Sequence, residues 1–182
     1  MHRTKRLTAP LFAALTAAGT FIAVPLPVSP VPLVLQNLFA LLSGLVLGPM
    51  LGGAAVGLYL LVGALGLPVF AGAKGGVALF FGPTGGYLLG YALAALAAGL
   101  VAGRPRVGTK TPLWRIALAV GAGLAAVYIP GLLRLKMVIG KEWPAVLAAG
   151  LFPFIIGDLI KAVLAVLVAP RLRRAAAEHL DA

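Results

Sequence analysis

Apolar residues run along the chain in long blocks, separated by short clusters of proline, glycine or basic residues. The longest block, Leu7 to Ala73, holds 67 positions without one charged side chain. A bilayer crossing takes ~20 residues at ~1.5 Å rise each, so this block predicts about three crossings. Pro25, Pro27, Pro30 and Pro32 in VPLPVSPVP cannot sit inside a regular helix and mark a first turning point; Gly48, Pro49, Gly52 and Gly53 in GPMLGG mark a second. Helices are therefore predicted near 7–24, 33–48 and 52–66. Beyond a glycine-rich stretch, a fourth apolar run covers about 86–103 and ends at the basic segment GRPRVGTKTPLWR. A fifth fits 113–133, and a sixth 144–168, after the interruption RLKMVIGKEW and before RLRR. The predicted fold class is all-α: an integral membrane bundle of six transmembrane helices with a Gly/Pro-rich external loop between helices 3 and 4. Residues 1–182 are expected to form a single membrane domain with short basic termini.

Composition agrees with lipid as the solvent. Hydrophobic residues make up 62% and charged residues 10%, against ~45–50% and ~25% in soluble domains. The formal charge of +11 would suggest nucleic acid in a soluble chain, but the basic residues sit in interruptions between apolar runs and no aromatic-rich basic patch accompanies them, so no nucleic-acid partner is expected. In a six-span arrangement one face holds Arg3, Lys5, Arg6, Arg104, Arg106, Lys110, Arg115, Arg171, Arg173 and Arg174, and the other holds Lys74, Arg134, Lys136 and Lys141. This asymmetry places both termini in the cytoplasm. The first segment has a basic start and an apolar body like a secretory leader, but removing it would leave five spans and separate the termini, so it reads as a retained helix.

Enzyme chemistry finds little support. There is no cysteine, and His2 and His179 both lie at the termini, so neither a metal centre nor a histidine-assisted serine is expected. No phosphate-binding glycine loop ending in Lys-Ser/Thr occurs. If solute crosses the bilayer here, the energy must come from another subunit.

Three irregularities carry candidate chemistry. Asp158 and Lys161 lie inside the sixth apolar run, three apart and so on one helix face. They read either as a mutual ion pair that fixes the helix or as a site for a small polar-ended acid. The run from Gly66 to Gly86 contains seven glycines and two prolines and cannot be a lipid-facing helix. It is either an ordinary external loop or, since Val69, Phe70, Leu79, Phe80 and Phe81 would not be left in water, a lid or pocket wall. The third is a ladder of small residues in the first helix, Ala9, Ala13 and Ala17 with Ala14 and Ala18 alongside. It suits close helix packing, inside the bundle or against a partner. Gly44, Gly48 and Gly52 form a similar row, read as internal packing.

The stretches VPLVLQNLFALLSGLVLGPMLGG, GLPVFAGAKGGVALFFGPTGGYLLGY and LFPFIIGDLIKAVLA resemble the BioY family, the biotin-specific substrate-binding (S) components of energy-coupling factor transporters. The likeness covers most of residues 7–170, and GPTGGYLLG followed about seventy residues later by PFxxGDLxK is its most specific combination. The resemblance implies a multi-pass protein of the prokaryotic cell (inner) membrane that captures biotin from outside, with biotin as transported ligand and no cofactor. Its implied partners are a transmembrane coupling subunit and two cytosolic ATPases. It further implies that Lys161 meets the valerate carboxylate and Asp158 the ureido N–H groups, and that Thr84 and Tyr87 of GPTGGY and Gln36 of the LQ element belong to the binding site. An A-x-x-x-A row docks the coupling subunit in that family; here Ala13 and Ala17, or Ala14 and Ala18, hold that place. Two departures stand out: YIPGLLRLKMVIGK replaces a Trp-containing segment, and Lys74 occupies a position where a smaller or neutral residue is expected. S components for other small carboxylates, or a structural bundle, are the alternative readings.

Overall fold

The computed structural model describes residues 2–27 and 29–180. In chain order the elements are α1 (His2–Ala18), β1 (Ala23–Leu26), β2 (Ser29–Val34), α2 (Gln36–Leu47), α3 (Pro49–Ala64), α4 (Gly85–Ala102), α5 (Leu113–Ile139), α6 (Trp143–Gly150) and α7 (Ile155–Leu180). Short 3-10 turns occupy Gly19–Phe21 and Val77–Phe81. The class is all-α, as the apolar blocks predict. α4 and α5 are each long and apolar enough to cross a membrane, α6 and α7 do so as a pair bent by 53°, and α1, α2 and α3 are shorter apolar helices.

The helix predicted to reach residue 24 ends at Ala18, and β1 and β2 pair as a small antiparallel hairpin, Ala23 with Val34 and Val24 with Leu33, with an irregularity in register between Val24 and Leu26. A two-stranded sheet has two free edges, and proline, which has no N–H to donate, is compatible with strands whose outer side needs no ladder bond. The sixth predicted helix is also two elements. Pro153 falls in the turn between α6 and α7, and α7 starts afresh at Ile155 with Asp158 in its first turn. The negative side chain therefore lies at the positive end of a helix dipole, whereas an unbroken helix would have placed it mid-span. α5 runs six residues beyond its predicted end, to Ile139, and closes on Gly140 in the left-handed region (φ 63°), whose N–H bonds the Lys136 carbonyl. α7 likewise continues past Pro170 and the RLRR segment.

α2 is the central rod, with ten of its twelve residues buried. At ~1.5 Å per residue it is too short for a ~30 Å hydrocarbon layer. Close packing around α2 uses the predicted glycine row. A Cβ on Gly44 would lie 2.0 Å from the Ala95 carbonyl oxygen of α4, and one on Gly52 would lie 2.6 Å from Gly44 Cα. Arg173 of α7 closes the other end of the bundle. It is buried and donates to the carbonyls of Leu45, Ala102 and Gly103 and to the Thr111 hydroxyl. The side chains of Arg3, Lys5 and Arg6 lie outside the described residues.

Candidate functional site: a roofed cavity beside a buried ion pair

A cavity of about 490 Å³ opens between the β1–β2 hairpin, the loop joining α3 to α4, and the first turns of α4, within the ~300–1,000 Å³ typical of small-molecule sites. Its walls are mostly apolar: Leu26, Val31 and Val34 from the hairpin, Leu79 from the loop and Leu88 from α4. The glycine-rich loop folds back onto the bundle because its aromatic residues have somewhere to go. Phe70 is buried edge-on against Tyr59 and Phe80, with ring centroids 5.5 and 5.7 Å away. It fits because Gly63 has no side chain there; a Cβ would come within 2.2 Å of the ring. The Gly76 N–H donates to the Gly63 carbonyl at 2.7 Å and fastens the loop to α3. Val69, Leu79 and Phe80 pack on the same core, as expected of a pocket wall, but Phe81 stays exposed. Its carbonyl instead accepts from Arg134 of α5.

The predicted site residues divide between two neighbouring places. Gln36, Thr84 and Tyr87 line the cavity, whereas Asp158 and Lys161 lie in an adjoining crevice that shares Val31, Pro32, Val34, Tyr87 and Tyr91 with it. Gln36 is fully buried. Its amide nitrogen reaches the Val69 carbonyl and the Tyr59 hydroxyl, each at 2.8 Å, and the Thr20 hydroxyl. Its amide oxygen has no hydrogen-bond partner among the described residues. The Tyr87 hydroxyl donates to the Gly150 carbonyl at 2.8 Å, so this residue presents its ring to the cavity rather than its polar tip. Thr84 stands at the start of α4 without a side-chain capping bond.

Asp158 and Lys161, 6% and 7% exposed, form an ion pair at 2.6 Å and are enclosed by further partners. Lys161 donates to Asp158 Oδ1 at 2.6 Å, Asn37 Oδ1 at 2.9 Å and the Val34 carbonyl at 2.8 Å. An ammonium has three N–H groups, and all three are taken. A ligand carboxylate at Lys161 would require one of these bonds to be surrendered. Asp158 accepts from Lys161 and from Asn37 Nδ2 (2.9 Å) on Oδ1, and from the Tyr128 hydroxyl on Oδ2. A carboxylate offers about four lone-pair directions, so Oδ2 can take one more donor. Sequence reasoning missed Asn37 and Tyr128. Asn37 could have been found, because two consecutive amides, Gln36 and Asn37, inside a 67-residue uncharged run are an anomaly of the same kind as a buried charge. Tyr128 carries no such signal.

In the first helix, Ala13 is buried and Ala17 packs against the core, whereas Ala14 and Ala18 are exposed on the outer face with Leu11 and Phe21. Only the second pair is free to meet another helix.

Residues 2–178 match the family model described as the BioY family. A probable biotin transporter BioY of Pyrococcus horikoshii is 44% identical over 163 residues, covering 90% of this chain and 92% of the relative. The biotin transporter BioY of Thermotoga maritima is 42% identical over 173 residues, covering 95% and 98%. The fold is also similar to the crystal structure of the S-component for biotin from an ECF-type ABC transporter, with a TM-score of 0.82 and 28% identity over 93% of this chain and 90% of that one. With nearly its whole length matched, the chain is a multi-pass membrane protein that belongs to the BioY family.

Proposed function

We propose that this chain is the substrate-binding membrane subunit of a vitamin uptake transporter, capturing biotin from outside and delivering it inward when docked on an ATP-driven energy-coupling module. It is a transporter subunit rather than an enzyme. The observation that carries the reading is the 490 Å³ cavity roofed by the glycine-rich loop, in a fold shared with an S-component for biotin. Biotin combines an apolar bicyclic body with ureido N–H donors at one end and a carboxylate at the other. The cavity supplies apolar walls and the Tyr87 ring for the body. Unused acceptor capacity for the ureido group lies at Asp158 Oδ2 in the adjoining crevice, and the Thr84 hydroxyl adds a further polar contact. In this reading Lys161 holds Asp158 in place.

The module consists of a transmembrane coupling subunit and two cytosolic ATPases, and the Ala14 and Ala18 face of α1 docks the coupling subunit. Both termini then lie in the cytoplasm of a prokaryotic cell, with the protein in its inner membrane. The separation of basic side chains supports this: Arg106, Lys110, Arg173 and Arg174 gather at one end of the bundle, while Arg134 reaches the loop at the cavity end. Equilibrium binding of labelled biotin to the purified, folded protein tests the reading. Saturable binding at one site per chain is expected. A folded protein that ignores biotin and takes another small carboxylate vitamin would replace the substrate, and one that binds neither would leave a structural bundle.

A further inference from the structure

We propose that Lys74 is the specificity residue for the acid end of the ligand, so that the bound molecule lies with its carboxylate at the mouth of the cavity under the α3–α4 loop. The inference rests on the binding function proposed above. Two cations lie near the cavity, Lys74 on its wall and Lys161 in the adjoining crevice. Lys161 has no N–H group to spare, and its charge is matched by Asp158 at 2.6 Å. Lys74 is the one charged side chain among the described residues lining the cavity itself, and it has no ion-pair partner or side-chain hydrogen bond among them. A carboxylate taken from water into a mostly apolar cavity needs a cation or several donors, and this position supplies the cation.

The backbone holds that lysine in a defined place. Residues 70–74 form a tight turn closed by two bonds, Phe70 N–H to the Lys74 carbonyl at 2.8 Å and Lys74 N–H to the Phe70 carbonyl at 3.1 Å. Its base is anchored by the buried Phe70 ring. Gly72 (φ 74°) and Ala73 (φ 55°) both lie in the left-handed region, and Ala73 is the sole non-glycine residue with positive φ among the described residues. Such strain persists only where the surroundings over-determine it, and it gathers at ligand clamps. Gly75, where a Cβ would lie 2.3 Å from the Leu67 carbonyl oxygen, packs the following residue against the loop's own start. The lysine therefore projects from a fixed turn.

The test compares biotin with biotinamide, which keeps the ring system and chain but carries no charge, on wild type, Lys74→Gln and Lys74→Arg. Wild type is expected to bind biotin roughly ten-fold or more tightly than the amide, the value of a charge-assisted contact. That ratio should fall to about one in Lys74→Gln, with amide affinity unchanged, and persist in Lys74→Arg. A preference for biotin that survives in Lys74→Gln overturns the inference and returns the carboxylate to Lys161. Equal binding of both ligands by wild type overturns it as well, as does loss of amide binding in Lys74→Gln, which would make the residue a support for the loop. A wild-type chain that binds neither ligand refutes the binding function itself, a result distinct from these.

Discussion

Asp158 and Lys161 are tied to each other and to three elements outside their own helix: Val34 of β2, Asn37 of α2 and Tyr128 of α5. Removing one partner leaves an uncompensated buried charge, which costs ~3–5 kcal/mol, while replacing both with apolar groups can cost little. Lys161→Met and Asp158→Leu should each lower the midpoint of thermal unfolding in detergent sharply, and the double variant should recover much of the loss. A double variant as unstable as the sum of the two single ones would show that the charges act independently. Loss of binding in Lys161→Met alone therefore does not assign it a ligand contact. Asn37→Leu is expected to behave like the single charge variants, because it strips the pair of a donor and an acceptor at once. Tyr128→Phe removes one donor to Asp158 and should cost less, ~1–3 kcal/mol, on the same thermal readout.

Helix packing is set by absent side chains. Gly44→Ala would drive a Cβ to within 2.0 Å of the Ala95 carbonyl, on backbone that cannot yield without parting α2 from α4. Its expected cost is ~1–3 kcal/mol or more, read as a lowered unfolding midpoint, with Gly57→Ala, where nothing lies within 4 Å, as the unaffected control. α1 gives a contrasting pair. Ala14→Leu or Ala18→Leu places bulk on an exposed face and should abolish co-purification with the coupling module while leaving biotin binding intact. Ala13→Leu, facing the core, should instead impair folding. Of these elements, the helices, their approximate bounds and the glycine row are legible in the sequence because apolar run length and small-residue spacing act locally. The β1–β2 hairpin is not, because prolines announce only that a helix stops. The break at Pro153 is hidden by unbroken hydropathy on both sides, and with it the placing of Asp158 at a helix start. Arg134 and Lys136 read as loop residues, yet they extend α5: Arg134 finds the Phe81 carbonyl, and Lys136 lies 4.7 Å from the Trp143 ring. Such partners, distant in sequence, are visible only after folding.

Across the whole molecule, the two ends of the bundle are built for opposite tasks. At one end the chain leaves a cavity under a loop fastened to α5 by Arg134 and to α3 by Gly76. At the other, Arg173 draws α7 onto the carboxyl ends of α2 and α4, satisfying carbonyls that no helix turn can reach and placing a cation where both helix dipoles are negative. Arg173→Met keeps the aliphatic stem but leaves the Leu45, Ala102 and Gly103 carbonyls without that donor. At ~1–3 kcal/mol per orphaned buried group, the unfolding midpoint should drop by several degrees or more. Arg134→Met cuts only the tie between loop and α5, so it should leave that midpoint nearly unchanged and speed biotin release in a chase experiment. If the two variants exchanged phenotypes, with Arg173→Met accelerating release at normal stability, the division of labour between the two ends would be wrong, because the sealed end would then be the one that governs ligand escape.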